Sequence, residues 1–412
     1  MGDSLESVVS LPSLPSPPAS PAQALPGGSW TSVPGTACGV AQGFIKGKGA
    51  LRDDVAVLRA PGIAAALTTA STAAAAPCRW TRARVPGPVE AVVVNAGNAN
   101  ASTGLQGEAD TRATAVEVAR VLGCEADRVL VCSTGVIGVP LPMDRLLPAA
   151  REAASQLTAD GARLARAILT TDLVPKECAF HSQGVTVAGV AKGSGMIHPN
   201  MATMLAFLVT DAVVAPADLQ ALLVEAADRS FHCLTVDGDT STNDTVILQS
   251  TGLGPVCAPG SLAWEGLREA LFATCIDLAR AIARDGEGAT SLVECVVWGT
   301  PDDAQARRAA RAVLRSPLVK SAIHGRDPNW GRIVGALGAE RVEELERLDL
   351  DLCGIPVLRA GQPVAWEEAA ASEAMKAPEL RITARLPGPG LGVAWGCDLS
   401  YDYVRINADY RS

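Results

Sequence analysis

Ala191-Lys-Gly-Ser-Gly-Met-Ile-His-Pro-Asn-Met-Ala-Thr-Met-Leu205 runs without a break into Ala206-Phe-Leu-Val-Thr210. The first part is a Gly/Pro/Asn loop. From Thr203 to Thr210 the chain has the length and apolar content of a buried strand. Strand-like runs also occur at Ala91–Asn95, Arg128–Cys132, Val185–Ala188, Thr245–Gln249, Leu292–Val297, Glu379–Leu386 and Tyr403–Ile406. Helical periodicity covers Thr111–Leu122, Met143–Leu157, Pro216–Arg229, Leu262–Ala283 and Asp302–Leu314. Strands and long helices do not alternate with the regular βαβ beat of a doubly wound sheet, so the pattern predicts a layered α/β fold with mostly antiparallel pairing. Weak boundaries fall at Gly252–Gly260 and Pro387–Leu391.

The chain has 412 residues, 48% hydrophobic and 19% charged, enough to bury substantial cores. Its net charge of −9 argues against nucleic-acid and anionic-membrane partners, which repel an acidic surface. No window reaches the roughly 18 consecutive apolar residues of a membrane span. Eleven scattered cysteines lack any C-x-x-C, and His181, His198, His232 and His324 lack metal-ligand spacing, so no metal site is expected. Such cysteines suit a reducing compartment. The first thirty residues are rich in Ser, Pro and Ala and read as a disordered extension with no apolar signal core and no Lys or Arg before Lys46. An intracellular soluble protein is therefore expected, in the cytoplasm or an organelle matrix such as plastid stroma or mitochondrion, and not secreted.

Neither a G-x-x-x-x-G-K-[ST] loop nor a G-x-S-x-G elbow is present; Gly47-Lys-Gly49 reads as a turn. The junction of loop and strand at Thr203 offers another nucleophile candidate. Its hydroxyl can attack the Ala202 carbonyl and convert that peptide bond to an ester, whose hydrolysis frees a new α-amino group. An amine with a pKa of about 7.7–8.0 can serve as general base for the hydroxyl beside it. The plain alternative is a loop that only turns the chain.

Lys192-Gly-Ser-Gly-Met-Ile-His-Pro-Asn-Met-Ala-Thr-Met-Leu205 resembles the self-cleavage segment of the ornithine acetyltransferase, or glutamate N-acetyltransferase, family. Val93–Ala101, Ser133–Gly138, Thr170–Asp172, Val236–Asp244, Gly286–Thr290, His324–Arg332 and Ile406–Tyr410 match in family order, from about residue 36 to the end. The resemblance implies an α-β-β-α sandwich with a smaller C-terminal α/β subdomain. It further implies cleavage between Ala202 and Thr203, which yields an alpha segment, 31–202, and a beta segment, 203–412. Thr203 would be the nucleophile, and Thr134 and Gly135 the oxyanion hole. Thr170, Lys192, Thr203, Glu287, Asn407 and Ser412 would bind substrate. Ser412 stands where the family commonly has threonine and keeps the hydroxyl.

The reaction so implied passes an acetyl group from N-acetylornithine through Thr203 to glutamate, in arginine biosynthesis. No cofactor is needed, and acetyl-CoA is a candidate second acetyl substrate. The cleaved segments would assemble as an α2β2 heterotetramer. An acetylated ornithine offers a carboxylate and an ammonium, so Lys192 suits one end of the pocket and Glu287 the other. A related N-terminal-nucleophile aminopeptidase or amidase is the rival enzyme, and an uncleaved binding protein the rival outside catalysis. Gly238, Asn243 and Asp244 resemble part of a calcium loop, but position twelve from Asp237 is Leu248 rather than Glu, which favours a structural turn. The segment His324–Arg332 carries no assigned role.

Overall fold

The computed structural model describes residues 22–47, 52–197 and 204–409. Its larger sheet holds strands β1 (Gln23–Ala24), β2 (Ala37–Ala41), β3 (Val55–Thr68), β4 (Gly87–Asn98), β5 (Val129–Val136), β6 (Lys176–Ser182), β7 (Val185–Lys192), β8 (Leu205–Thr210) and β9 (Thr245–Ser250). The strand order is β1-β6-β7-β8-β9-β3-β4-β5, with β2 also paired to β3. Only β4–β5 and β8–β9 are parallel. Helices α1 (Ala76–Arg82), α2 (Gly104–Leu122), α3 (Met143–Ser155), α4 (Gly161–Ala167), α5 (Pro216–Asp228) and α6 (Leu262–Arg284) connect and cover these strands.

The long strand β3 shows why the sheet makes two layers. Successive side chains on a strand point to opposite faces. Val55 and Val57 join a core with α2 and α3. Ala65 joins a different core with α5 and α6. Ala56, Leu58, Ala60, Ala64 and Ala66 all face a third, inner core shared with β4, β5, β7, β8 and β9. The register breaks between Arg59 and Gly62, where the strand passes from one layer to the next. A Cβ on Gly62 would lie 2.0 Å from the Ser250 carbonyl oxygen, so the crossing needs glycine. The result is a mixed sandwich with largely antiparallel pairing, as the sequence pattern predicts, in the α-β-β-α order that the resemblance implies.

A second sheet forms the smaller C-terminal α/β unit. Its elements are β10 (Leu292–Thr300), α7 (Asp303–Arg315), α8 (Pro317–His324), α9 (Trp330–Ala339), β11 (Asp349–Leu352), β12 (Ile355–Arg359), β13 (Gln362–Pro363), α10 (Glu368–Ala374), β14 (Glu379–Arg385), β15 (Gly390–Cys397) and α11 (Tyr401–Ala408). The order is β13-β12-β11-β14-β10-β15. Helix α7 opens on Asp302, whose side chain accepts from Gln305 N, and buries Ala306, Ala309, Ala310 and Val313 at helical spacing.

Two expectations change. Residues 403–406 are helical within α11, because Ser400 caps the helix by accepting from Asp402 N and a four-residue alternation is too short to distinguish the periods. Residues 22–30 of the expected extension 1–30 are ordered: β1 pairs with β6, and Trp30 is fully buried in the inner core. All eleven cysteines are free, and most are buried. Among the described residues no helix is long and apolar enough to cross a membrane.

Candidate active site

A cavity of about 270 Å³ opens where the ends of β5 and β7 meet the last turn of α11. Thr134, Gly135, Thr170, Lys192, Glu287 and Asn407, which come from five separate stretches of sequence, all line it. Ala202, Thr203 and Ser412 lie outside the described residues. The nearest described neighbour of Thr203 is Met204, whose carbonyl accepts from Thr245 N at 3.1 Å at the head of β8.

The Thr134-Gly135 turn expected from the sequence is the irregular last part of β5, where the pairing with β4 shifts register. Gly135 has φ +133°, and a Cβ there would lie 2.2 Å from the Gly97 carbonyl carbon, so backbone crowding demands glycine. The asparagine-rich stretch 93–101 buttresses this turn. Ser133 Oγ donates to Asn95 Oδ1 at 2.7 Å, and Asn95 Nδ2 donates to the Asn98 carbonyl at 2.8 Å. From the other side, Asn243 Nδ2 donates to the Ser133 and Ala99 carbonyls at 2.8 and 2.6 Å. The motif around Asn243 thus braces the turn. Fixed backbone at such a place can stabilise developing negative charge, typically by about 2.7–4 kcal/mol per donor.

Lys192, on the last residue of β7, has a side chain only 3% exposed. Its Nζ donates to Thr134 Oγ1 at 3.3 Å, which links the cation to the turn. Burial pushes its ammonium below the usual lysine range, opposed by Asp172, Glu287 and Asp244 and reinforced by Lys176. Asp172 Oδ2 stands 4.0 Å from Lys192 Nζ.

Asp172 was only part of a matching segment at the sequence level, but it organises the site. Its oxygens accept from Lys176 Nζ at 2.8 Å, Gly193 N at 2.6 Å and Thr170 N at 3.1 Å. Burial alone would raise its carboxyl, but Lys192, Lys176 and the Gly193 amide outweigh it and hold it well below the ordinary carboxylate range. Lys176, fully buried, also donates to Asp285 at 2.6 Å. Asp285 caps the C-terminus of α6, where the helix dipole disfavours an anion, and Lys176 supplies the compensating charge. Sequence spacing gave no sign of this, since Asp172 and Asp285 are far apart along the chain.

Glu287 is 8% exposed rather than solvated. Its Oε2 accepts from Asn407 Nδ2 at 2.8 Å, which joins the end of α6 to α11. A Cβ on Gly195 would lie 2.3 Å from the Glu287 carboxyl, so the loop after β7 closes over this side chain only because residue 195 is glycine. The cavity therefore presents a buried cation near the turn and an anion braced by an amide.

A profile of the ArgJ family matches residues 36–412. The arginine biosynthesis bifunctional protein ArgJ of Symbiobacterium thermophilum is 49% identical over 397 residues, which span 93% of this chain and 99% of that protein. Its counterpart in Thermosynechococcus vestitus is 46% identical over 420 residues, with 95% and 99% covered. Among solved structures, the arginine biosynthesis bifunctional protein of Bacillus halodurans is 43% identical with a TM-score of 0.48, covering 50% of this chain and 98% of that one. An ornithine acetyltransferase from Mycobacterium tuberculosis, solved with ornithine, is 36% identical with a TM-score of 0.41, covering 43% and 98%. With identity near one half over almost its whole length and a family profile matched from residue 36 onward, the chain belongs to the ArgJ family.

Proposed function

We propose that the protein is a glutamate N-acetyltransferase of arginine biosynthesis that moves an acetyl group from N-acetylornithine to glutamate through Thr203. The observation that carries this is that the Thr134-Gly135 turn, Lys192, Glu287, Asn407 and Thr170 meet in one cavity, and that Lys192 pairs with Leu205 at the head of β8. Lys192 suits the α-carboxylate of the acetylated substrate, and Glu287 its side-chain ammonium. Thr170 and Asn407 offer neutral hydrogen bonds, and Ser412 is assigned to the same set.

Self-cleavage between Ala202 and Thr203 first frees the α-amine. That amine takes the Thr203 hydroxyl proton as the oxygen adds to the acetyl carbonyl. The oxyanion that develops is met at Thr134 and Gly135, and the amide C–N bond breaks as ornithine leaves with a proton. Glutamate's amine then attacks the acetyl ester and restores the hydroxyl, which completes a ping-pong cycle. Every step uses the chain's own groups, so no cofactor is invoked. Acetyl-CoA can load the same hydroxyl as a second donor. The two segments are assigned to an α2β2 assembly acting on small molecules inside the cell.

Intact mass and N-terminal sequencing test the cut: two pieces are expected, the second starting at Thr203, and Thr203→Ala should leave one uncut chain without transferase activity. Incubation of the cut protein with N-acetylornithine, with and without glutamate, tests the transfer. Acetate released at the same rate without glutamate would overturn it in favour of an amidase.

A further inference from the structure

The stretch Asp237–Asp244 contributes neither of its end carboxylates to the cavity lining, yet those two side chains hold the chain on both sides of the interval 198–203. Upstream, Asp237 Oδ2 accepts from Met196 N at 2.6 Å and Oδ1 from Ile197 N at 2.8 Å. Val236 N adds a bond to the Ile197 carbonyl at 2.7 Å. Met196 sits at φ +56°, a left-handed conformation that is unfavourable for a residue with a side chain, and the Asp237 carboxylate holds it there. Downstream, Asp244 Oδ1 accepts from Met204 N at 3.0 Å.

Asp244 is 1% exposed, and its second oxygen has no hydrogen-bond partner among the described residues. A carboxyl buried with one oxygen unsatisfied opposes folding, and an apolar side chain would fill the space at less cost. What the aspartate supplies at this position is placement of the Met204 amide. Between the two clamps, Asn243 grips the Ser133 carbonyl, so the same short stretch also fixes the turn that faces the cavity.

We propose that Asp237 and Asp244 are positioning residues of the self-cleavage step, one on each flank, holding residues 197 and 204 in a fixed relation to the Thr134-Gly135 turn. This rests on the self-cleavage reading given above. In that step the Thr203 oxygen adds to the Ala202 carbonyl carbon, and the ester C–O bond forms as the C–N bond breaks. The hydroxyl proton passes to the departing nitrogen, which becomes the α-amine, and water then hydrolyses the ester. Bond rearrangement of this kind depends steeply on how the attacking atom is presented.

The test follows the uncut fraction of freshly made full-length chain by intact mass, for wild type and for Asp237→Ala, Asp237→Asn, Asp244→Ala and Asp244→Asn, with thermal unfolding recorded for each. The alanine variants should cut about ten-fold or more slowly, the size expected for loss of a buried hydrogen bond. Asp244→Asn keeps an acceptor for the Met204 amide and should recover to within about three-fold of wild type. Asp237→Asn can keep an acceptor for only one of the two upstream amides, Met196 or Ile197, and should fall between. The fraction that does cut should keep the wild-type KM for N-acetylornithine. Wild-type cutting rates in folded alanine variants would overturn the inference. If an alanine variant does not fold, a wild-type rate in Asp237→Asn overturns it instead. Wild-type protein that never cuts would refute self-cleavage itself, which is a distinguishable result.

Discussion

Two buried carboxylates in this protein have opposite electrostatic situations, and the difference is measurable. Asp172 is surrounded by cations and held below the ordinary carboxylate range. Its stabilising contribution is complete above its unfolded pKa, about 4, and is lost as pH falls through and below that value. Removing it takes the nearest carboxylate from buried Lys192 and leaves buried Lys176 with Asp285 as its one remaining ion-pair partner among the described residues. In the uncut Thr203→Ala background, Asp172→Ala should cost about 3–5 kcal/mol by chemical denaturation at neutral pH. Asp172→Asn should also flatten the loss of stability in acid. Asp244 behaves in the reverse sense, because burial pushes its carboxyl well above the usual range against the pull of the Met204 amide and Lys192. A raised acid disfavours folding once pH exceeds its unfolded pKa. Asp244→Asn in the same background should therefore be more stable than its parent near neutral pH, and the gain should disappear below about pH 4. A constant difference across that range would contradict the assignment.

At the scale of elements, the cavity is made where short connections leave regular structure. The loop after β7 reaches the end of α6 only because Gly195 lacks a side chain. Gly195→Ala should displace Glu287 and break its bond to Asn407, raising KM for N-acetylornithine about ten-fold, equivalent to about 1.4 kcal/mol, with less change in kcat. An unchanged KM would remove Glu287 from the binding assignment. Helix α11 brings Asn407 to that contact. Tyr403-Val-Arg-Ile406 alternates like a strand although it is helical, because none of the residues of α11 is buried enough to impose an apolar stripe. The cap at Ser400, which also donates to the Gly288 carbonyl at 2.6 Å, anchors the helix to the site.

For the whole molecule, the proposed cut divides the chain but not the fold. Strands β7 and β8 lie on opposite sides of the interval and pair along their length, Val187 to Thr210 through Lys192 to Leu205. The inner core mixes Leu58, Val92 and Val190 with Phe207 and Ile247. Cut protein should therefore elute from a sizing column as one species containing both segments, and the segments should part only in denaturant. Separation under native conditions would show that the shared sheet does not hold them.

The layered α/β class, the principal strands and most helices were legible in the sequence, because each depends on local periodicity and capping. The residues now found around one cavity were legible as well, through motifs whose spacing along the chain carries the family likeness. What only the tertiary structure decided is how charge is arranged about them. Asp172, Lys176 and Asp285 form one buried network, and Asp237 and Asp244 take up the two flanks of 198–203. Desolvation and ion pairing depend on distances through space between side chains remote in sequence, and no local pattern encodes those distances.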